Sequence, residues 1–332
     1  MRFGLFGGAS AQSGEHATDS MLGHRDYVDY ICEAERLGFH SAFVVEHHFR
    51  GSGQISASLM LLTYLAARTT KIRLGAAVVV LPWHNPVLVA EQVGTLDQLS
   101  GGRFDFGVGK GYRPGEFDGF CMSREEAGAR YAESLGLMRR AWINPERFSH
   151  TGTYWAFHDI AIDPPPVQKP HPPIWIGGAN PETIRRAGLE GFHLLLDQIA
   201  TFDVLAERVK IYRDAVAESG REFDPLSIAV SRALHVVKTE KDWIAAHRLR
   251  ADVLENLRKL GSPTAAPSPE LKAYSDTTQT IDEAALIGYP EEIIGRLKKL
   301  REIGVEYILL ADVVGSKESL RVFSEEIMRK IA

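Results

Sequence analysis

Short runs of β-forming residues alternate with segments of helical periodicity along the whole of this 332-residue sequence. Residues 3–7 and 42–46 have the composition of strands, and residues 24–37 between them repeat apolar side chains at helical spacing. Further strands are predicted at residues 72–81, 104–108, 173–176, 193–196, 228–237 and 307–310, and further helices at 56–67, 87–99, 182–187, 204–218, 241–259, 291–302 and 317–331. Eight strands that are each followed by a helix match a barrel better than a doubly wound sheet of about five or six strands. We therefore predict an α/β fold, a (β/α)8 TIM barrel.

Two segments depart from this repeat. Residues 113–155 form a long stretch after the fourth strand, and residues 261–289, before the eighth strand, are rich in Pro, Ser and Thr. A strand and helix are still needed after the second segment to close the barrel, so we interpret it as a mobile lid and not as a linker. We therefore expect residues 1–332 to form a single domain that carries both segments as insertions.

Charge and cysteine content exclude several classes of protein. The net charge is −5, which argues against a nucleic-acid partner. The two cysteines, Cys32 and Cys121, lie far apart and form no C-x-x-C motif, which excludes a disulfide framework and a thiolate zinc site. No apolar run approaches the length of a membrane span or a signal peptide. We expect a cytoplasmic protein with no membrane contact.

The second predicted strand ends in Glu46, His47 and His48, and barrel enzymes carry their active sites at the carboxyl ends of the strands. Because neighbouring strand residues point to opposite faces, His47 lies on one face while Glu46 and His48 share the other. One histidine is therefore expected at the barrel mouth, the alternative being a histidine that only completes the strand end. A zinc site is disfavoured, since the sequence has no H-E-x-x-H motif.

The third predicted strand reads GAAVVVLP and begins with Gly75, Ala76 and Ala77. These small residues form a flat surface against which a planar ligand can lie. The alternative is close packing of one backbone segment on another.

Two glycine-containing turns are candidate anion sites. GVGKGYRPG after the fourth strand fails the G-x-G-x-x-G dinucleotide pattern, but it presents Lys110, which can either meet a phosphate or remain solvated. GGANPET after the fifth strand places Asn180 as a helix N-cap. The amides of Gly178 and Ala179 and the following helix N-terminus can bind an anion, although Glu182 in the first turn also fits a purely structural helix start.

Four segments together carry a resemblance to a known family: VVEHHF, GAAVVVLPWHNPV, AEQVGTLDQLSGGRFDFGVGKG and IWIGGANPET. In this order, and across almost the whole chain, they resemble the bacterial-luciferase-like family of flavin-dependent monooxygenases. The resemblance implies a TIM barrel that takes reduced FMN from a separate flavin reductase and reacts it with O2. The substrate is then a small organic molecule of the aldehyde, ketone, sulfide or amine class.

The resemblance also implies roles for particular residues. His47 matches the catalytic histidine, Ala76 and Ala77 match a non-proline cis peptide that supports the flavin ring, and Lys110 stands where luciferase has a phosphate-binding arginine. The turn formed by Gly177, Gly178, Ala179 and Asn180 matches a second phosphate-contacting segment. The luciferase reactive cysteine corresponds to Gly109, which argues against light emission.

The sequence is also compatible with two other functions. A deazaflavin-dependent oxidoreductase on the same barrel needs more cations at the mouth than Lys110 and Arg113, and a catalytically silent flavin-binding protein has no need of His47. Residues 56–67 carry small side chains beside leucines, which permits close helix approach. Related enzymes pair through this region, so we also expect a homodimer.

Overall fold

Eight parallel strands close into a barrel in the computed structural model, which describes residues 1–9, 23–49, 55–144, 146–258, 283–313 and 315–331. The strands are β1 (Arg2–Gly7), β2 (Ser41–Val44), β3 (Arg73–Ala76), β4 (Phe104–Gly109), β5 (Ile174–Gly177), β6 (His193–Leu196), β7 (Ile228–Val236) and β8 (Tyr307–Asp312). Each strand pairs with the next, β8 pairs with β1, and β6 pairs with β7, so the ring has no free edge. The predicted (β/α)8 barrel is confirmed.

Helices follow the strands and pack on their outer faces. They are α1 (His24–Leu37), α2 (Ser58–Arg68), α3 (Pro86–Ser100), α4 (Pro114–Gly119), α5 (Ala127–Ile143), α6 (Pro181–Glu190), α7 (Phe202–Glu218), α8 (Glu240–Arg258), α9 (Pro290–Ile303) and α10 (Lys317–Phe323). A π-helical segment at Ser324–Met328 and a short α-helical segment at Arg329–Ile331 continue α10. Local sequence sets their ends. Helix α3, for example, begins at Pro86 after an Asn85 side chain that accepts from two backbone amides, and it stops at Gly101, whose φ is 65°.

The third strand is shorter than the sequence predicts. Strand β3 ends at Ala76, a two-residue strand at Val79–Val80 then pairs with β4, and a 3-10 turn follows at Leu81–Trp83. The cis peptide bond is Ala77–Val78, so our expectation of Ala76–Ala77 is wrong by one residue. The Ala77 amide still donates to the carbonyl of Val44 on β2 at 2.8 Å, so the hydrogen bonding to β2 reaches Ala77 before the chain leaves the strand.

The segment 113–155 is less of an interruption than the sequence indicates. Helix α5 occupies the position of the helix between β4 and β5, and the indole nitrogen of Trp142 donates to the carbonyl of Ala90 on α3 at 3.2 Å. What is added to the repeat is α4 and an antiparallel hairpin of strands Phe148–Thr151 and Ala156–Ile160.

Part of the predicted lid belongs to the sheet. A strand at Leu286–Gly288 is buried and pairs with residues Leu234 to Val236 of β7. Residues 261–282, the rest of the predicted lid, lie outside the described residues.

The lower part of the barrel interior is filled by aromatic side chains. Phe43 and Tyr307 each pack edge-on against Trp175 with ring centroids 5.6 Å apart. A Cβ on Gly75 would overlap the Phe43 ring, so close packing accounts for the glycine that we considered as part of a ligand surface. The Tyr307 hydroxyl donates to Ser41 Oγ at 2.6 Å at the amino ends of β8 and β2. Any ligand must therefore lie at the opposite, carboxyl end of the strands.

Among the described residues, no helix is both long and apolar enough to cross a membrane. The same part of the chain contains no group of histidine, cysteine and carboxylate side chains with the arrangement of a metal site.

Candidate active site

His47 lies just beyond β2, in a loop that the rest of the mouth holds in place. Its amide donates to the carbonyl of Ile55 at 2.8 Å, and its Nδ1 lies 3.1 Å from Oε1 of Glu116 on α4. The same oxygen accepts a 3.0 Å hydrogen bond from the His48 amide. Helix α4 therefore binds the ring of His47, the histidine that the sequence singles out, and the backbone amide of the next residue, His48.

Glu116 is buried beneath this histidine. Burial by itself raises the pKa of a carboxyl group, but the hydrogen bond and charge of His47, the His48 amide and nearby Arg113 lower the pKa of Glu116 below its usual value. Arg113 is also buried, with Nη1 at 3.7 Å from Glu116 Oε1 and Nε donating to the Tyr112 hydroxyl at 3.2 Å. Glu116 is thus an ionised acceptor at neutral pH.

Glu46 and His48 meet on the other side of the same loop, as the alternation of strand residues predicts. Glu46 Oε1 lies 3.4 Å from His48 Nε2 and 2.8 Å from His84 Nε2, and Oε2 accepts from Ser58 Oγ at 3.2 Å. Burial raises the pKa of this carboxyl group, but the two histidines outweigh it and lower the pKa to about 2. Glu46 therefore ties together the segments that follow β2 and β3 and the start of α2.

An aromatic cluster surrounds His48. The imidazole packs within 5.6 Å of the rings of Phe49, Trp83 and Phe120, and Trp83 stacks on Phe120 at 5.1 Å. His48 is thus a packing residue with a carboxylate partner, while His47 is directed to Glu116.

Small residues line the carboxyl ends of β3, β4 and β5. A Cβ on Gly109 would lie 2.6 Å from Val78 Cγ2, and one on Gly177 would lie 3.0 Å from Val78 Cγ1. Ala77 packs with the residues inside the barrel, whereas the Ala76 side chain is fully buried in the layer between strands and helices. Of the two predicted alanines, only Ala77 presents its side chain to the barrel interior, and Val78 joins it.

Of the residues predicted to contact an anion, only some are placed so that they can do so. Lys110 is exposed directly after β4, and within the described residues it has no hydrogen bond or ion pair. Asn180 is the N-cap of α6, as predicted, since its Oδ1 accepts from the Thr183 amide at 2.9 Å. The Gly178 amide donates to the carbonyl of Leu195 on β6 at 3.4 Å, so it is directed to the neighbouring strand.

Three residues of this site were not found from the sequence. Glu116 is 69 positions from His47, His84 is 38 positions from Glu46, and Glu46 itself was placed on the face opposite His47 and given no role. The sequence does contain a pattern that could have indicated Glu116. Pro114 stands at the first position of a helix and Glu116 is the acidic residue in its first turn.

Known proteins that are similar to this chain include flavin-dependent monooxygenases. The luciferase-like monooxygenase family matches residues 1–307. The oxygenase component of the flavin-dependent trigonelline monooxygenase of Acinetobacter baylyi is 25% identical over 345 residues, covering 100% of this chain and 94% of that protein. The FMNH2-dependent dimethylsulfone monooxygenase of Pseudomonas putida is 27% identical over 317 residues, covering 89% and 84% respectively.

Solved structures agree on the fold. The oxygenating constituent of 3,6-diketocamphane monooxygenase from Pseudomonas putida, determined with FMN, superimposes with a TM-score of 0.79 at 22% identity over 100% of this chain and 99% of that one. An F420-dependent secondary alcohol dehydrogenase superimposes with a TM-score of 0.78 at 19% identity, again over 100% and 99%.

This chain belongs to the luciferase-like monooxygenase family. The predicted family and the predicted enzyme class, a flavin-dependent monooxygenase, are confirmed.

Proposed function

We propose that this chain is the oxygenase of a two-component system, which uses reduced FMN and O2 to oxygenate a small organic substrate. The observation that carries the proposal is the His47–Glu116 pair at a barrel mouth whose neighbouring strand ends are reduced to Gly109 and Gly177. An acid–base group thus lies at the same end of the barrel as two strand ends that carry no side chain.

The residues at the mouth fit a flavin. Cβ atoms on Gly109 and Gly177 would meet the Val78 side chain, so these glycines let Val78 lie close against the ends of β4 and β5. Val78 and the two bare strand ends are the candidate support for a flat ring. Exposed Lys110 follows Gly109 directly and is the candidate contact for the phosphate. Gly177, Ala179 and the N-terminus of α6 are candidates on the neighbouring strand, with Asn180 holding the helix start.

Reduced FMN, when bound, supplies the electrons that activate O2. Nδ1 of His47 is directed to Glu116, so Nε2 is the atom that takes up or returns a proton during oxygen transfer. Glu46 and the rings around His48 hold the loop that carries His47. The aromatic side chains beside the mouth exclude water from the reacting atoms.

FMN is favoured over a deazaflavin because of Arg113. The sequence offers two cations at this end of β4, and the structure buries Arg113 against Glu116 and Tyr112. Of these two cations, Lys110 is the exposed one, and a single exposed cation suits one phosphate better than the longer acidic tail of F420.

Incorporation of oxygen from labelled O2 tests the proposal. The chain is mixed anaerobically with chemically reduced FMN, and then exposed to ¹⁸O2 with a panel of aldehydes, ketones, sulfides and amines. Mass spectrometry is expected to show one ¹⁸O atom in a product that is absent without protein. Hydride transfer to or from F420, with no labelled product from any member of the panel, would support the deazaflavin alternative.

A separate flavin reductase is proposed as the partner. The trigonelline relative is an oxygenase component by name, which supports this assignment. The chain with NADH and FMN alone is expected to form no product, and addition of any FMN reductase is expected to restore turnover.

We further propose one domain over residues 1–332 and a homodimer.

A further inference from the structure

We propose that Glu116 is a positioning residue that fixes the tautomer and orientation of His47, and so makes Nε2 the proton-accepting atom. The inference rests on the proposed function, in which His47 is the acid–base group. It concerns a residue that the family motifs in the sequence did not bring forward, and it can be tested on the protein without any cofactor.

The hydrogen bonds at Glu116 Oε1 determine the tautomer of His47. Glu116 Oε1 accepts a hydrogen bond from the His48 amide at 3.0 Å, and His47 Nδ1 lies 3.1 Å from the same oxygen. Because an ionised carboxylate has no proton to donate, Nδ1 carries the hydrogen and donates it to Oε1. The neutral ring therefore keeps its lone pair at Nε2.

Protons balance without any transfer to the carboxylate. When Nε2 accepts a proton, His47 becomes an imidazolium whose Nδ1–H still donates to Glu116, and the negative carboxylate stabilises the positive ring. When Nε2 gives the proton up, the original pair is restored. Glu116 holds the ring in both states and remains ionised.

Other charges surround this pair. Arg113 lies on the same element as Glu116, with Nη1 at 3.7 Å from Oε1, and it offsets part of the carboxylate charge. On the opposite side of the loop, Glu46 is paired with His48 and His84. Substitution of Glu116 by Gln thus removes a negative charge beside His47 and leaves the positive charge of Arg113 nearby, which favours the neutral ring.

Titration of the free protein by NMR gives the first test. Labelled histidine signals are followed against pH in the wild type, and Glu116→Gln and Glu133→Gln are compared with it, His47→Ala serving to assign the His47 signal. Glu133 is the matched control, because its Oε1 lies 3.2 Å from His150 Nε2 in a glutamate–histidine pair on α5 and the hairpin. Glu116→Gln is expected to move the His47 midpoint to lower pH, while Glu133→Gln is expected to leave the His47 midpoint unchanged.

Kinetics give the second test. Glu116→Gln is expected to lower kcat roughly 10-fold to 10²-fold, a part of the ~10²–10⁴ that a complete acid or base contributes, with KM for the substrate nearly unchanged. The acid limb of the pH profile should move in the same direction as the NMR midpoint. Glu116→Asp, which keeps the charge, is expected to recover part of both effects.

The two tests separate the two hypotheses. The His47 midpoint can shift in Glu116→Gln while the wild type forms no oxygenated product. This result would support the role of Glu116 and contradict the proposed function. A folded Glu116→Gln protein in which His47 titrates as in the wild type would overturn the role of Glu116. If the Gln variant does not fold, the same comparison is made with Glu116→Asp, which keeps the charge but shortens the side chain. A His47 midpoint that moves part of the way to lower pH would then support the proposal, and a midpoint equal to that of the wild type would overturn it.

Discussion

Glu46 Oε1 and His84 Nε2 meet at 2.8 Å and connect the loop after β2 to the 3-10 turn after β3. The carboxylate is buried, and its second oxygen reaches Ser58 at the start of α2. One side chain therefore holds together three segments around the loop that carries His47.

The Glu46 pair should make stability depend on pH. The two histidines lower the pKa of Glu46 from 4.5 to about 2 against the opposing effect of burial, so the stabilisation is present above about pH 5 and is lost as pH falls towards 2. Glu46→Gln is expected to lower the free energy of unfolding at pH 7 by up to roughly 3 kcal/mol. Urea unfolding of both proteins should show this difference shrinking below pH 4; a constant difference would contradict it.

Substitution of His47 should affect product formation and not the binding of reduced FMN. His47→Ala is expected to keep the affinity for reduced FMN and to reduce product formation by roughly 10² to 10⁴, the usual contribution of a positioned acid or base. His48→Ala should instead lower thermal stability, because the His48 ring packs against Trp83 and Phe120. Product formation at the wild-type rate in His47→Ala would leave this histidine with a structural role only.

Lys110 should contribute to affinity through the phosphate alone. Lys110→Ala is expected to weaken FMN binding roughly 10-fold or more, since a hydrogen bond to a charged group contributes about 1.5–3 kcal/mol. Riboflavin lacks the phosphate, so its affinity should be the same in the variant and the wild type. Fluorescence titration measures both, and equal loss for the two flavins would place Lys110 elsewhere than at the phosphate. Lys210→Ala on α7 controls for the loss of one positive charge.

Gly109 should be required for flavin binding. A Cβ at this position lies 2.6 Å from Val78 Cγ2, so Gly109→Ala must push the strand end or Val78 towards the space assigned to the ring. We expect weaker binding of both FMN and riboflavin. Gly136→Ala on α5 has no atom within 4 Å of its new Cβ, and it should leave binding unchanged while improving helix propensity by about 1 kcal/mol.

The proposed dimer should depend on α2. Met60 and Tyr64 are 75% and 54% exposed and lie one helical turn apart, so they form an apolar strip on the outside of the barrel. Light scattering is expected to give a dimer for the wild type and a monomer for the double variant Met60→Glu, Tyr64→Glu. Val204→Glu on α7, also an exposed apolar position, should remain dimeric. A monomeric wild type at micromolar concentration would exclude the dimer.

The sequence by itself determined the barrel and the order of its elements. Helix α1 and strand β6 have the predicted bounds, His24–Leu37 and His193–Leu196, because apolar periodicity and helix-ending glycines such as Gly38 act within a few residues. Local pattern also placed His47 at a strand end, and put Glu46 and His48 together on the other face. The N-cap at Asn180 was equally local.

Tertiary structure decided what the side chains at the mouth contact. The pairing of His47 with Glu116 spans 69 positions and depends on how α4 packs over the carboxyl end of β2. The same packing buries Arg113, which the sequence presented as a cation at the mouth, and the structure has the cis bond at Ala77–Val78. Periodicity reports which face of an element is apolar, but the partner of a polar side chain follows only from the relative placement of elements that are distant in the chain.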